Sequence, residues 1–360
     1  MHISDVMKDL HRVWPDASFW KDRRVLLTGH TGFKGAWLAF WLTRMGAKVT
    51  GLALQAQTRP NLFEILSIEK HLSSHIGDIR SLDVIQNVVD ICKPEIVLHL
   101  AAQALVRTSY KNPLNTFETN VLGSLNLLEV LRGNKNVKVI VMVTTDKVYR
   151  NLEQREPYSE FAELGGHDPY SASKAASELL IASYRSSYFN EQGVAVIAAR
   201  AGNVIGGGDW AEDRLLPDAV RAWQRKQILQ IRRPDAIRPW QHVLEPLAAY
   251  MCLAQQAYFH PDIDTAWNIG PEGTATVREV VELARISYGQ GDVEFAANLA
   301  GPHEAGLLML DVRKLKKELG IQPRWQLEEA VHRSLDWYRQ FEAGTSGSSL
   351  CTEDIDAFLS

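Results

Sequence analysis

The stretch Arg24-Val25-Leu26-Leu27-Thr28-Gly29-His30-Thr31-Gly32-Phe33-Lys34-Gly35 decides the fold. Its first five residues form an apolar run that predicts a strand. Residues 35–45 then carry a helical pattern, closed by Gly46. Between the two lie glycines in G-x-x-G-x-x-G spacing. Glycine there permits the tight turn and the close backbone approach that a pyrophosphate needs. The helix start beyond it offers unpaired N–H groups and the positive end of a dipole. A glycine triplet alone is a weak signal. The strand before it and the helix after it supply the context of a dinucleotide-binding turn. Gly29, Thr31, Gly32, Phe33, Lys34 and Gly35 are therefore candidate cofactor contacts. A tight turn without a ligand is the plainer alternative.

Working outward, the same alternation repeats. Residues 48–54 (KVTGLAL), 95–100 (EIVLHL), 137–143 (VKVIVMV) and 194–199 (VAVIAA) read as further strands. The segments between them are long enough for crossover helices. Continuous apolar strands alternating with helices predict a parallel sheet covered on both faces. Right-handed crossovers make it doubly wound. The expected fold is α/β, a doubly wound parallel sheet of Rossmann type over residues 20–205, with some later segments folding back onto it. From Gly206-Gly207-Gly208-Asp209 onward the pattern loosens. Residues 206–340 are expected to be mainly a smaller, mixed α/β substrate-binding domain. Residues 341–360 are expected to be a tail, because Gly344-Thr345-Ser346-Gly347-Ser348-Ser349 is linker-like. Residues 1–22 read as an extension with helical character.

The chain has 360 residues, enough for one large domain or two fused ones. Apolar residues make up 46% and charged residues 23%, an ordinary globular mixture. The 39 basic and 43 acidic side chains leave a formal charge of -4 with no basic block, which argues against nucleic-acid binding by bulk charge. The three cysteines, Cys92, Cys252 and Cys351, are too scattered for a disulfide framework or a metal site. A reducing cytoplasm fits that usage. No apolar run of about 18 residues and no N-terminal apolar h-region occur, so neither a membrane span nor a leader is expected.

After the second strand, Leu54-Gln55-Ala56-Gln57-Thr58-Arg59 lacks the acidic residue that binds an adenosine ribose. Arg59 either receives a 2′-phosphate or is a solvated loop charge, so this feature leaves NAD against NADP open. Asp78-Ile79 stands where a third strand would end and meet an adenine edge; a plain loop aspartate is the alternative. His30 and His99 flank the cofactor strands, where packing is a commoner role than catalysis.

Pro169-Tyr170-Ser171-Ala172-Ser173-Lys174 opens another helical stretch. Tyr170 and Lys174, four apart, project from one face. An ammonium beside a phenol favours the phenolate, so Tyr170 is expected to have a lowered pKa and to act as a base near neutral pH. A surface pair is the alternative. Thr144-Thr145-Asp146 ends a buried strand, and the Thr145 hydroxyl can hold a substrate hydroxyl beside the phenolate.

Together TGHTGFKG (28–35), HLAAQ (99–103), TTDKVY (144–149), YSASK (170–174) and RPWQHVLEP (238–246) resemble the extended short-chain dehydrogenase/reductase family. Within it, the resemblance is to nucleotide-sugar 4,6-dehydratases of the CDP-sugar branch, over roughly residues 20 to 335. It implies a lyase working by internal hydride transfer. C4 of a hexose is oxidised, water leaves across C5–C6, and the hydride returns at C6, while NAD stays bound. Tyr170 would take the 4-OH proton, Lys174 would tune Tyr170 and bind the nicotinamide ribose, and Thr145 would orient the 4-OH. Asp146 would protonate the departing 6-OH. Relatives acting on dTDP-sugars carry T-D-E, the glutamate abstracting the C5 proton; this chain has Lys147 instead. Lys147 is that base if its pKa is lowered, or a cation that stabilises the enolate, or an ion-pair partner of Asp146 or Glu118.

The same resemblance puts the Ala101-Ala102 backbone near the cofactor and Gln103 near the sugar. It puts Asn120 behind the active-site backbone and Asn203 at the sugar or first phosphate. Arg214 and Arg238 are the best diphosphate candidates, because a planar guanidinium donates two parallel hydrogen bonds. Arg232 and Arg233 are further cations in that region. His303-Glu304 are expected to close the base-binding end. The expected partner is a small nucleotide-sugar, with neither nucleic acid nor membrane. The apolar faces of residues 113–131 and 170–188 resemble the dimer bundle of relatives, so a homodimer or a higher state is expected. Two competing readings stay in view. One is another nucleotide-sugar enzyme, such as a dTDP-glucose 4,6-dehydratase or a UDP-hexose 4-epimerase; an epimerase expels no water, so Asp146-Lys147 favours dehydration. The other is a non-catalytic nucleotide-binding module, which would be expected to have lost Tyr170 or Lys174.

Overall fold

The computed structural model describes residues 14–295 and 305–360. Strands β1 (Arg24–Thr28), β2 (Lys48–Ala53), β3 (Ser73–Ile76), β4 (Ile96–His99), β5 (Val139–Val143) and β6 (Ala195–Ala201) lie parallel with a later segment, Ala266–Ile269. The order across this seven-stranded sheet is Ala266–Ile269, β6, β5, β4, β1, β2, β3. The sheet is doubly wound, as the alternation predicts.

Side-chain alternation within the strands builds two layers. Val25 and Leu27 enter one core with Trp37, Trp41 and the helix Leu244–Phe259. Leu26 enters the other with Ile85, Val88, Leu127 and Ile181. In β5, Val139, Val141 and Val143 face the first core, and Ile140 and Met142 the second. Burial on both faces is why these strands read as unbroken apolar runs. The edge strand β3, Ser-Ser-His-Ile, is only partly covered and carries no such run. Nor does Ala266–Ile269, whose buried Asn268 spends its amide on the Tyr158 and Asp311 carbonyls, at 2.8 and 3.1 Å.

The strand order turns back between β4 and β1. In such a sheet ligands bind at the carboxyl ends of the strands flanking that switch point. Short strand pairs supply the opposite wall: Asn203–Ile205 with Trp240–His242, Leu229–Ile231 with Val293–Phe295, and Ile237–Arg238 with Ala275–Thr276. No helix among the described residues is long and apolar enough to cross a membrane.

Residues 341–360 are not a tail. The run that reads as a linker starts a helix, Gly347–Leu359, with the Ser346 hydroxyl accepting the Ser349 N–H at 3.1 Å. Leu350, Cys351, Ile355 and Phe358 are buried in the same core as β1. The Phe358 ring meets Trp14, Trp41 and Trp325 edge to face, with centroids 5.5, 5.9 and 5.1 Å away. Gly347 sits against the helix Leu62–Ile65, where a Cβ would lie 2.3 Å from Ile65 Cγ2. Serine and glycine cap and pack here; they do not loosen the chain.

Truncating a buried aromatic costs about 3–5 kcal/mol. Phe358→Ala should therefore lower the urea midpoint strongly. An unchanged midpoint would show that the last helix contributes nothing to the fold.

Candidate active site

Geometry at the glycine turn is set by close approach. Gly29 has φ +80, and a Cβ there would lie 2.8 Å from the Ala101 nitrogen at the end of β4. At Gly35 a Cβ would lie 2.0 Å from the Gly29 carbonyl oxygen. A side chain at Gly35 would push the helix Phe33–Arg44 off the turn, and one at Gly29 would push the turn off the end of β4. No side chain caps that helix, so its first N–H groups stay available to an anion. Thr31 secures the turn by donating to the Leu54 carbonyl at 2.8 Å. Thr28 accepts the Ala101 N–H at 3.1 Å, which fixes the Ala101-Ala102 backbone beside the turn.

His30 and His99 are packing residues in this structure. His30 lies against Gly51, with Nε2 2.8 Å from Ser74 Oγ. His99 bridges Thr28 Oγ1 and Ser124 Oγ at 2.7 and 3.2 Å. Burial pushes the His99 pKa down to about 3. Asp78 is held by Arg80, Oδ2 to Nη2 at 2.6 Å, and these hydrogen bonds keep its carboxyl below the usual range. Ile79 is buried against Gly123, where a Cβ would lie 2.5 Å from its Cδ1.

The helix Pro169–Tyr184 carries Tyr170 and Lys174 on its first turns. Pro169 and the Asp168 cap, which accepts the Ser171 N–H at 3.0 Å, fix where it begins. Lys174 donates from Nζ to the Val143 carbonyl at 3.1 Å, so the ammonium braces the end of β5. Burial brings its pKa down to about 8, with the Glu178 carboxylate opposing. The Tyr170 phenol moves opposite to the expected direction. Burial pushes it up to about 12, against a hydrogen bond with Thr145 and the charge of Arg214. Loss of hydration outweighs the neighbouring cations.

Asp146 is wholly buried, and its Oδ1 accepts from the Thr145 hydroxyl at 2.9 Å and from Lys147 Nζ at 2.8 Å. Its Oδ2 has no hydrogen-bond partner among the described residues. Lys147 Nζ also donates to Asn203 Oδ1 at 3.1 Å. Glu118, the other pairing considered for Lys147, is bound by Arg80 at 3.1 Å. Lys34 belongs to this cluster as well as to the glycine turn. Its Nζ is 3.3 Å from the Tyr250 hydroxyl, and burial with Lys174 and Arg214 nearby lowers its pKa to about 7.

Behind the cluster lies a node that the motifs do not announce. Glu178, one turn beyond Lys174, accepts from Arg200 Nε and Nη2 at 3.0 and 2.8 Å and from the Thr144 hydroxyl at 2.6 Å. Arg200 also donates to the Tyr149 hydroxyl at 2.9 Å. Both charges are about 4% exposed, so each needs the other. The sequence signal was an arginine closing the fully buried strand β6. Asn120 lies in a π-helical turn, Glu118–Leu122, and holds the Gln103 backbone from both sides at 2.8 and 3.0 Å. Gln103, expected near the sugar, is itself held by hydrogen bonds. Its amide is spent on its own loop, with Leu105 N, Leu105 O and Thr116 Oγ1 as partners at 2.6, 3.1 and 2.9 Å. It is not among the residues lining the cavity.

That cavity is about 610 Å³, and it brings together Tyr170, Lys147, Asn203, Arg214 and Arg238, with Arg232 and Arg233 on the same wall. Arg214 donates to the Ala104 carbonyl at 3.4 Å. Arg238 donates to the Ile237 carbonyl at 2.7 Å and to the Ala305 carbonyl. His303 and Glu304 lie outside the described residues.

Residues 26–334 match the family described as GDP-mannose 4,6 dehydratase, and the chain belongs to it, within the extended short-chain dehydrogenases/reductases. It is 44% identical over 353 residues to the CDP-glucose 4,6-dehydratase of Salmonella typhimurium, covering 96% of this chain and 98% of that one. It is 28% identical over 345 residues to the dTDP-glucose 4,6-dehydratase of Haemophilus influenzae, covering 87% and 97%. Its fold matches a Thermus thermophilus UDP-glucose 4-epimerase in complex with NAD, at TM-score 0.77 and 26% identity, over 88% and 98% of the two chains. It also matches a double mutant of a dTDP-glucose 4,6-dehydratase from Streptomyces venezuelae with NAD bound, at TM-score 0.77 and 25% identity, over 89% and 98%.

Removing one partner of a buried ion pair costs about 3–5 kcal/mol. Arg200→Met should destabilise the protein by that order in chemical unfolding. Stability within about 0.5 kcal/mol of wild type would mean that Glu178 finds another partner.

Proposed function

We propose that this chain is a lyase that converts CDP-D-glucose to CDP-4-dehydro-6-deoxy-D-glucose with NAD as cofactor, a step toward deoxysugars. The observation that carries this reading is the single cavity shared by Tyr170, Lys147, Asn203 and two arginines, with buried Asp146 touching Lys147.

The residues present fit NAD. The glycine turn leaves room only for backbone, and the helix behind it starts without a side-chain cap. In this reading Gly29, Thr31, Gly32, Phe33, Lys34 and Gly35 hold the pyrophosphate. Ala101 and Ala102 back the cofactor, Asp78 and Ile79 receive the adenine end, and Tyr170 and Lys174 meet the nicotinamide ribose. Bound there, NAD would supply a hydride acceptor for C4 and a hydride donor for C6, and a positive charge that favours the Tyr170 phenolate.

Oxidation at C4 is needed because an unactivated C5–H is not acidic; next to a ketone its carbanion becomes an enolate. Tyr170 takes the 4-OH proton while Thr145 orients that hydroxyl. The 2.8 Å contact between Lys147 and Asp146 then does two things in one transfer. A proton passing from Nζ to Oδ1 leaves a neutral amine, able to take the C5 proton, and a carboxylic acid, able to protonate the departing 6-OH. Lys147 gives its new proton back to C5 as the hydride arrives at C6. The proton that Tyr170 gained resets Lys147. One water leaves and no net oxidation occurs. Asn203, Arg214 and Arg238 hold the sugar and its diphosphate.

Leu114, Phe117, Leu122 and Leu179 are exposed on residues 113–131 and 169–184, and this apolar exposure supports a homodimer in which a second copy would cover them. None of the three cysteines forms a disulfide, which supports a cytoplasmic location.

Incubation with CDP-glucose, beside dTDP-glucose and UDP-glucose, should give the alkaline ultraviolet absorbance of a 4-keto product with the first alone. No product from CDP-glucose, with cofactor binding intact, would reject the reading. Tyr170→Phe should abolish turnover while the fold is retained; normal turnover would remove Tyr170 from its role. Lys147→Ala should slow solvent-deuterium uptake at C5 more than the first hydride transfer, followed by transient reduced-cofactor absorbance. Equal slowing of both would contradict the role given to Lys147.

A further inference from the structure

Three charged side chains from distant segments meet on the cavity wall with no role in the chemistry above. Arg107 stands on the short helix Val106–Lys111, beyond β4. Arg232 follows the strand Leu229–Ile231. Asp213 lies between them, in the left-handed backbone region at φ 59. Its Oδ1 accepts from Arg107 Nη1 at 3.1 Å and lies 3.6 Å from Arg232 Nη2. All three residues line the cavity. The neighbouring Arg214 ties the same two loops together through the Ala104 carbonyl, at 3.4 Å.

Asp213 meets both guanidinium groups through the same oxygen. Each guanidinium is a planar fork suited to two parallel acceptors, and a diphosphate offers more oxygens and more charge than one carboxylate. The pairs are also partly solvated, with side-chain exposures of 22% for Arg107, 33% for Asp213 and 37% for Arg232. Ion pairs of this kind contribute little and exchange readily. We propose that Asp213 is a stand-in anion, holding Arg107 and Arg232 poised across the cavity until the substrate diphosphate displaces it and takes both guanidinium groups. The proposal rests on the reading of this chain as a nucleotide-sugar enzyme. Arg107 and Arg232 bind; Asp213 is a positioning residue that competes with the ligand.

Asparagine tolerates the left-handed region as aspartate does, so Asp213→Asn removes the charge and keeps the turn. CDP and cytidine are titrated calorimetrically into NAD-loaded wild type, Asp213→Asn, Arg107→Gln and Arg232→Gln. Asp213→Asn should bind CDP about three- to tenfold more tightly, and each arginine variant about three- to tenfold more weakly. Cytidine, which carries no phosphate, should bind equally across the set. CDP affinity unchanged or weakened in Asp213→Asn overturns the stand-in role, and so does a parallel loss of cytidine and CDP binding in that variant. Wild-type CDP affinity in either arginine variant overturns the two-arginine grip. Turnover of CDP-glucose by the wild type tests the underlying reading separately. Absence of product defeats that reading, whereas product with an unmoved Asp213→Asn affinity defeats only the stand-in.

Discussion

The buried pair of Glu178 and Arg200 is the constraint on which the rest of the active-site architecture depends. A charge removed from water is tolerated only when matched in position and hydrogen bonding. Here one carboxylate is shared between Arg200 on β6 and Thr144 at the end of β5, and it belongs to the helix that presents Tyr170 and Lys174. Arg200 reaches on to Tyr149, whose hydroxyl donates to Asn268 of the outermost strand at 2.6 Å. Two adjacent strands, the helix and the sheet edge are thereby registered against one another. The hydroxyl of Thr145, the carboxylate of Asp146 and the phenol of Tyr170 inherit their spacing from that registration.

Loss of hydration disfavours the charged form of several groups in the site. Burial lowers the pKa of Lys34 and Lys174 and raises that of the Tyr170 phenol. The buried Asp146 carboxyl lies at their centre, one oxygen taking two hydrogen bonds and the other without a hydrogen-bond partner among the described residues. In a site so dry, a charge brought in with a ligand acts strongly on each of these groups. That property suits a reaction in which a proton is taken, lent and returned within one pocket.

Much of this was legible in the chain itself. The inner strands declared themselves because burial on both faces leaves only apolar residues, as in Val139–Val143. The glycine turn was legible because steric contact, Gly35 on Gly29 above all, forbids any other residue. Tyr170, Lys174, Thr145 and Asp146 stood out as candidate reactive groups by their type and spacing. The edge strands were not legible, since β3 is half solvated and Ala266–Ile269 carries a polar residue for reasons that only its partners reveal. The hydrogen bonds of Gln103 to Leu105 and Thr116 were not legible either, because they depend on how its segment folds back on the following helices. The final helix hid behind a Ser–Gly run whose capping role depends on a tryptophan-lined surface built by residues far upstream. The direction of the Tyr170 shift was hidden too, because spacing reports a neighbouring charge and is silent on lost water.

The placement of Ala266–Ile269 beside β6 has a consequence for biosynthesis. On the ribosome, β1 to β6 emerge well before their last neighbour, and domains assemble in the order in which they are made. Until residue 269 has cleared the exit tunnel, the outer rim of β6 presents bare amide and carbonyl groups, a template for aggregation. Nascent chains of this protein are therefore most vulnerable late in translation, and a premature stop before that segment would leave the sheet permanently sticky.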